Sequence, residues 1–422
     1  MTSPPKDWLP DSLFALLRDG YDFASRRRRE LGSDIFQSRF LVHRPVFIGG
    51  PDAARLFYDT EIIKRKGVAI GRIRKTLLGE GGIHGLDADA HRHRKAMFLA
   101  IMGPERLGPF SELMTRFWND AVETWGRREK VEFFPEAQKL LCRAMCHWAG
   151  IPLSPDEVEK RTTEMYAMID AFGGAGWRNW RGRLARRSHE AWLRGIVAQS
   201  RSGALQSAPG TAVHEIAHHR DLNGDLLDLD VAAVELSNSF RPMLAAVYFM
   251  ELQAAILMRD ENARRRVLED DVYCLNFAQE ARRFYPFTPF LGGKACHDAE
   301  WKGYLIPKDT VVLLDVYGIH HDPRIWPGPD NFNPDRFLSR PITQFNLLQQ
   351  GGGRHAAGHR CAGEWFTIET MKIASRALAR SRLQGDAGPI EFDLSRIPSR
   401  LKRAVFLRAR EEPRLSLHDE AA

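Results

Sequence analysis

From Gly108 to Met258, apolar residues recur at intervals of three and four, the spacing of helices that bury one face. Strand-like alternation is scarce there, and the glycine-rich "FGGAGW", Phe172 to Trp177, predicts a break. Outside this stretch the pattern changes. "SRFLVHRPVFIGGPDAARLFYD" predicts two short strands joined by a turn, then a helix opened by Pro51-Asp52. After Phe287, "GYLIPKDTVVLLDVYGIHHDP" predicts a β-hairpin feeding a loop, and "EWFTIETMKIASRALARS" predicts a helix. The tail "IEFDLSRIPSRLKRAVFLRAR" alternates as a strand does. A mainly α protein with small peripheral sheets is predicted. No linker, repeat or low-complexity stretch marks a boundary, so the expectation is a single domain over residues 1–422.

One segment violates its own pattern. "SNSFRPMLAAVYFM", Ser237 to Met250, reads as a buried helix yet carries Arg241 and Pro242 side by side. A buried arginine without an anion is costly, and proline removes a helical donor. The surrounding run, Val231 to Met258, is also broken by Glu235, Asn238 and Glu251, which points to a core helix rather than a membrane span. The first residues, "MTSPPKDWLPDSLFALLRDG", lack a basic start and apolar run, so no secretory signal is expected. The expectation is a cytoplasmic protein with no stable membrane anchor.

Composition adds limits. The 422 residues are 44% hydrophobic and 27% charged, with a net charge of +7. The densest basic clusters, "RRRRE" (Arg26 to Glu30) and "RGRLARR" (Arg181 to Arg187), come without aromatic interleaving and read as solvated helix faces. No nucleic-acid partner is expected. Five cysteines form no CxxC pair, and Cys142 and Cys146 lie one helical turn apart as buried residues do.

Cys361 differs. "GGGRHAAGHRCAGEWFTIETMK" sets it in a glycine-rich loop just before a helix, whose exposed amides favour a thiolate. A capping thiol, a metal ligand beside a flat cofactor and a redox cysteine all fit that stretch taken alone. Upstream, "EARRFYPF" places Glu280 and Arg283 on one helical face, and "HHDPRIWPGPDNFNPDRFL" supplies Arg336 in a Pro/Asn/Asp-rich meander. In this order the segments resemble the cytochrome P-450 haem–thiolate superfamily, across nearly the whole chain. There a Glu–Arg–Arg triad, here Glu280, Arg283 and Arg336, locks the meander behind the cysteine.

The resemblance implies haem b with Cys361 as the axial thiolate on its iron, a ligand that favours O–O cleavage. It implies that His359, and His91 with Lys95 in "HRHRKAMF", meet the haem propionates, with His93 and Arg94 as competitors. The cysteine loop departs from the family in lacking the Phe-Gly pair that usually opens it. A second departure concerns oxygen. Members that use dioxygen carry an acid and a threonine in the central helix to relay protons, where this chain has "SFRPML". Arginine stays charged and proline has no N–H. The "RP" pair, with "EARRFYPF" and "GHRCAGEW", is similar to the fatty-acid peroxygenase branch.

That branch uses hydrogen peroxide as co-substrate and needs no obligatory redox partner. It hydroxylates long-chain fatty acids at the α or β carbon, or decarboxylates them to terminal alkenes. The substrate carboxylate, held by Arg241 beside Pro242, stands in for the missing acid–base group. Leu78, Ile169, Phe172, Phe287, Thr288 and Phe290 match the branch's substrate pocket. His84 matches a position that carries glutamine in relatives that mostly hydroxylate and histidine in alkene formers. Leu78 and Thr288 stand where phenylalanine and glycine are common. Mixed products are therefore expected. The competing readings are a reductase-dependent monooxygenase of a small lipophilic substrate and a non-catalytic haem or fatty-acid binding protein.

Overall fold

The computed structural model describes residues 2–68, 73–174, 176–386 and 388–410. At its centre lies the segment the sequence singled out. A helix over Leu229–Phe240 is capped by Asp228, whose carboxylate accepts from the amides of Asp230 and Val231. A 3-10 turn over Arg241–Ala245 follows, and the helix resumes over Ala246–Leu257. Pro242 is the second residue of that turn, and its missing N–H interrupts the α ladder there. The stretch Leu229–Leu257 is long and apolar enough to cross a membrane, yet 83% of its most apolar window is buried inside the chain. It is a core helix.

Helices at Phe133–Ala149, Val158–Asp170, Trp177–Ser202 and Glu364–Arg380 pack around it, and the Leu107–Gly126 helix packs outside the first and last of these. Their inward residues, among them Trp118, Leu140, Phe240, Leu244, Phe366 and Met371, form one continuous apolar core. Cys142 and Cys146 are buried within it. Helices account for about 52% of the structure, so the mainly α expectation holds.

Among the described residues ten strands form three small sheets: β1 Ile35–Gln37, β2 Val46–Ile48, β3 Ile63–Lys64, β4 Val131–Glu132, β5 Phe290–Ala295, β6 Ala299–Trp301, β7 Tyr304–Ile306, β8 Val311–Asp315, β9 Leu383–Asp386 and β10 Phe406–Ala409. The largest sheet has the order β1-β2-β8-β5-β3, with β2 and β8 parallel. β10 lies between β4 and β9.

Three expectations need correction. The first N-terminal strand is β1, ahead of the predicted segment. The aromatic residue read as a strand former, Phe40, instead fills a ring cluster with Phe23 and Phe47. The predicted β7–β8 hairpin does not form. β7 pairs with β6 across Lys302 and Gly303, both at positive φ, the backbone a two-residue hairpin turn needs. β8 joins the large sheet, and a short helix over Val316–His320 follows in place of a loop. Finally, the basic clusters are not simply solvated. Arg27 and Arg28 are buried, and Arg28 bridges Asp34, Asp315 and Asp322 at 2.9–3.3 Å. Arg186 is buried as well. Sequence periodicity cannot see carboxylates that arrive from almost 300 residues away.

Candidate active site around Cys361

The cysteine loop is shaped by glycines. Gly351 and Gly353 have φ of +86° and +75°, and a β-carbon on Gly352 would lie 2.6 Å from the Gln344 carbonyl oxygen. The Cys361 amide donates to Gln350 O at 2.7 Å, and the Gly363 amide, at the start of the Glu364–Arg380 helix, faces the sulfur. Cys361 is solvent-accessible although protein surrounds it, so it opens onto an interior cleft. Burial pushes its thiol up, and the Gly363 amide, Lys95 and Arg282 oppose that shift. Behind it, Arg282 binds Gln350 Oε1 (2.8 Å) and Glu364 Oε1 (2.6 Å), which ties the loop to its helix. Sequence reasoning missed Arg282. It lies beside Arg283 in "EARRF", and adjacency alone does not say which arginine goes where.

Glu280, Arg283 and Arg336 meet in the core. Arg283 binds both Glu280 oxygens at 2.8 Å, and Arg336 Nε lies 3.0 Å from Oε1. Arg336 also donates to Pro327 O and Asn331 O, and the Asn333 amide donates to Glu280 Oε1. The meander is thereby fastened at several points to one buried carboxylate.

Basic groups collect at the rim of the cleft. His91 and Lys95, on the Ala88–Met102 helix, are buried, and the His91 ring lies 4.0 Å from that of His359. Lys95 donates to the Gly358 and Arg360 carbonyls. Arg65, which sequence reasoning did not single out, stacks 4.0 Å over the Phe57 ring and adds a cation that His359 senses. Asp87 is a carboxylate that His359 and Arg65 share, and it also accepts the Arg65 and Lys66 amides. Burial, then His359 and Lys95, push His91 down to about 3. Four basic groups against one carboxylate suit two propionates, and a thiol at a helix start suits an iron. These residues fit haem. Of the two competitors, His93 bonds the Arg220 carbonyl, and Arg94 is committed to Glu235 at 2.6 Å.

Arg241, only 3% exposed, shares a neighbour with this rim, since His84 feels Arg241, His359 and Lys95 alike. Arg241 Nη2 donates to Leu77 O (3.0 Å) and Asn238 Oδ1 (3.3 Å), while Nε has no partner. Among the described residues it has no ion-pair partner. The three carboxylates of the same helix are engaged elsewhere: Asp230 by Arg194, Glu235 by Arg94, Asn238 and the Ile83 amide, and Glu251 by Arg400 at 3.6 Å. Burial first, and then neighbouring Arg186, push the Arg241 guanidinium down to about 9. Pro242 and His84 are both accessible, though His84 is deeply seated. Burial, Arg241 and the rim cations push His84 down to about 4, so it is neutral at pH 7.

The remaining predicted residues fall into two groups. Ile169 ends the Val158–Asp170 helix as part of the core, and Phe172 is half-buried just beyond it. The Phe287 ring packs against Tyr248 and Phe249 at 5.2 and 5.5 Å, from the helix that follows Arg241. The Thr288 amide donates to Gln349, whose own amide donates to Tyr285 O, so this segment is pinned to the cysteine loop. Leu78, half-buried, presents its carbonyl to Asn238, next to the Leu77–Arg241 bond. Phe290 lies apart from these, in β5, with its ring edge-on to Phe47 at 5.4 Å.

A helical fold with a thiol at a glycine loop, a basic rim and a fastened meander defines a haem–thiolate protein. The family model described as Cytochrome P450 matches residues 250–379. Human cytochrome P450 4A11 is 32% identical over 150 residues, 35% of this chain and 28% of that protein, so the curated relative is matched over about a quarter of its length. Solved structures match throughout. Cytochrome P450SP alpha, CYP152B1, seen in complex with (R)-ibuprophen, is 40% identical over 95% of this chain and 98% of its own, with a TM-score of 0.90. A variant of cytochrome P450 OleT in complex with arachidonic acid is 33% identical over 97% and 100%, with a TM-score of 0.92. The chain belongs to the cytochrome P450 family, in its fatty-acid peroxygenase branch.

Proposed function

We propose that this protein uses hydrogen peroxide to oxidise long-chain fatty acids next to their carboxyl group, with Arg241 holding the carboxylate. The observation that carries the reading is a buried guanidinium without a carboxylate partner among the described residues, beside His84, which also feels His359 and Lys95 of the rim. A fatty-acid carboxylate supplies the missing anion and accepts a two-point hydrogen bond from the free edge of the fork.

Haem bound at Cys361, with its propionates on His91, Lys95, His359 and Arg65, supplies the O–O cleavage chemistry. The chain's own contribution is placement. Arg241 fixes the head group, so the α and β carbons are the ones presented, and the apolar side of Phe287 and Ile169 takes the acyl chain. The bound carboxylate then moves the proton that "SFRPML" has no side chain to move. Neutral His84 offers a hydrogen bond near that head group. Two outcomes balance: acid plus peroxide gives 2- or 3-hydroxy acid and one water, or terminal alkene, carbon dioxide and two waters. The histidine at 84 favours a mixture of both.

Mass spectrometry of products from holoenzyme, peroxide and saturated fatty acids tests this. Hydroxy acids and alkenes should appear without NAD(P)H or a reductase. Arg241→Ala should lose at least about a hundredfold of turnover while keeping its haem spectrum, the scale of losing a transition-state anchor. Turnover that depends on NAD(P)H and a reductase, or that survives in Arg241→Ala, defeats the proposal.

A further inference from the structure

The basic run on the Trp177–Ser202 helix turns one of its arginines inward. Arg186 is buried, and its Nη2 donates to Glu190 Oε1, one helical turn on. The guanidinium lies against the loop that follows the Arg74–Leu78 turn. A β-carbon on Gly79 would lie 2.5 Å from Arg186 Nη2 and 2.4 Å from Val234 Cγ1, so the loop touches both Arg186 and the Leu229–Phe240 helix where no side chain fits. The same loop supplies the Leu77 carbonyl that accepts from Arg241. Two guanidiniums are thus gathered at residues 77–79.

Charge gives this corner a definite balance. After burial, Arg186 is the neighbour that depresses the Arg241 guanidinium, and Glu190 is the carboxylate that offsets it. Arg186 Nη1, like Arg241 Nε, is buried with no hydrogen-bond partner among the described residues. The other polar groups close by add nothing to the sum. Arg94 and Glu235 cancel, and His84 and His189, which both feel the two arginines, are held neutral. Two cations and one anion leave a single positive charge for a ligand. Glu190 keeps its side chain 24% exposed, whereas Arg186 and Arg241 are closed off from solvent.

We propose that the Arg186–Glu190 pair sets the charge of the head-group site and restricts it to acids with a single negative charge. The inference rests on the reading of Arg241 as carboxylate anchor and adds what selects the head group. Arg186 adds its field to the pull on an incoming carboxylate and holds Glu190 away from Arg241. Glu190 in turn neutralises one of the two guanidiniums. A long-chain monocarboxylate matches the spare charge that remains. A head group with two charges brings one that finds no counter-ion in a desolvated corner. Both residues are positioning residues, since Arg241 remains the group that grips the substrate.

Calorimetric titration of the holoenzyme without peroxide tests this, with hexadecanoic acid and with tetradecylmalonic acid, the same chain bearing a second carboxyl on its α carbon. The native protein should bind the monoacid at least about tenfold more tightly than the diacid. Glu190→Gln removes the offsetting charge, so it should tighten the diacid by about tenfold and close or reverse the preference. Arg186→Met leaves Glu190 to compete for Arg241 and should weaken the monoacid by about tenfold. The double variant carries the same net charge as the native pair and should return to within about threefold of native affinity, a cancellation that misfolding of either single variant does not produce. Equal affinity for the two acids in the native protein, or an unchanged preference in Glu190→Gln, overturns the proposal while leaving Arg241 as the anchor. Binding of neither acid by the native protein or by any variant would instead defeat the Arg241 reading, and this inference with it.

Discussion

Arg241 is an expensive residue to keep. A guanidinium taken out of water regains that cost only through a charged partner, and its two acceptors here, the Leu77 carbonyl and the Asn238 amide oxygen, are neutral. The cost is therefore left for a ligand to relieve. Arg241→Met, similar in volume and uncharged, should raise the melting temperature of the acid-free holoenzyme, by a stabilisation of about 1–3 kcal/mol. It should also abolish the further rise that long-chain acid produces in the native protein. Calorimetry with and without acid checks both. A large fall in melting temperature would make Arg241 a structural member rather than a reserved cation. Arg94 shows the contrast: it neutralises Glu235, which burial would otherwise drive toward its protonated form, and so holds the Ile83 amide over the cleft.

At the scale of elements, the break at Arg241–Ala245 sets where the guanidinium points. Restoring the N–H with Pro242→Ala lets the α ladder run on from Leu229 toward Leu257 and turns position 241 about the helix axis. The expected outcome is a melting temperature equal to or above that of the native protein, with turnover lowered about tenfold or more, the usual scale for a misplaced positioning group. Unchanged turnover would show that the 3-10 turn does not aim Arg241. This break was legible in the sequence because proline carries its geometry with it. So were the helices between Gly108 and Met258, the gap at "FGGAGW" and the helix after Cys361, since each repeats its apolar face over several turns. The strands were read less well. β1 and β2 have three residues each, too few for alternation to register, and the choice of β6 rather than β8 as partner for β7 depends on a turn at Lys302-Gly303 that the prediction passed over. Buried Arg28 and Arg282 were illegible for a different reason, because Asp315, Asp322 and Glu364, which help neutralise them, lie far along the chain.

For the molecule as a whole, haem and apolar core carry separate parts of the stability. The core formed by the helices at Phe133–Ala149, Leu229–Leu257 and Glu364–Arg380 packs side chain on side chain and needs no cofactor. The rim is different. His91, Lys95, His359 and Arg65 crowd together in a desolvated rim that holds both imidazoles below their usual range, and the cysteine loop is rich in glycine, which gains the most entropy on opening. Two propionates and an iron–sulfur bond reverse both penalties and bind only the folded state. Haem removal should therefore lower the melting temperature by several degrees yet leave most of the helical circular dichroism. Limited proteolysis of the haem-free chain should cut first within residues 350–363 and 73–87, ahead of the three core helices. Cys361→Ser should move the protein part of the way toward the same pattern, because it keeps the propionate contacts and loses the thiolate. Cleavage starting in the core helices would instead mean that the cofactor holds the core itself together.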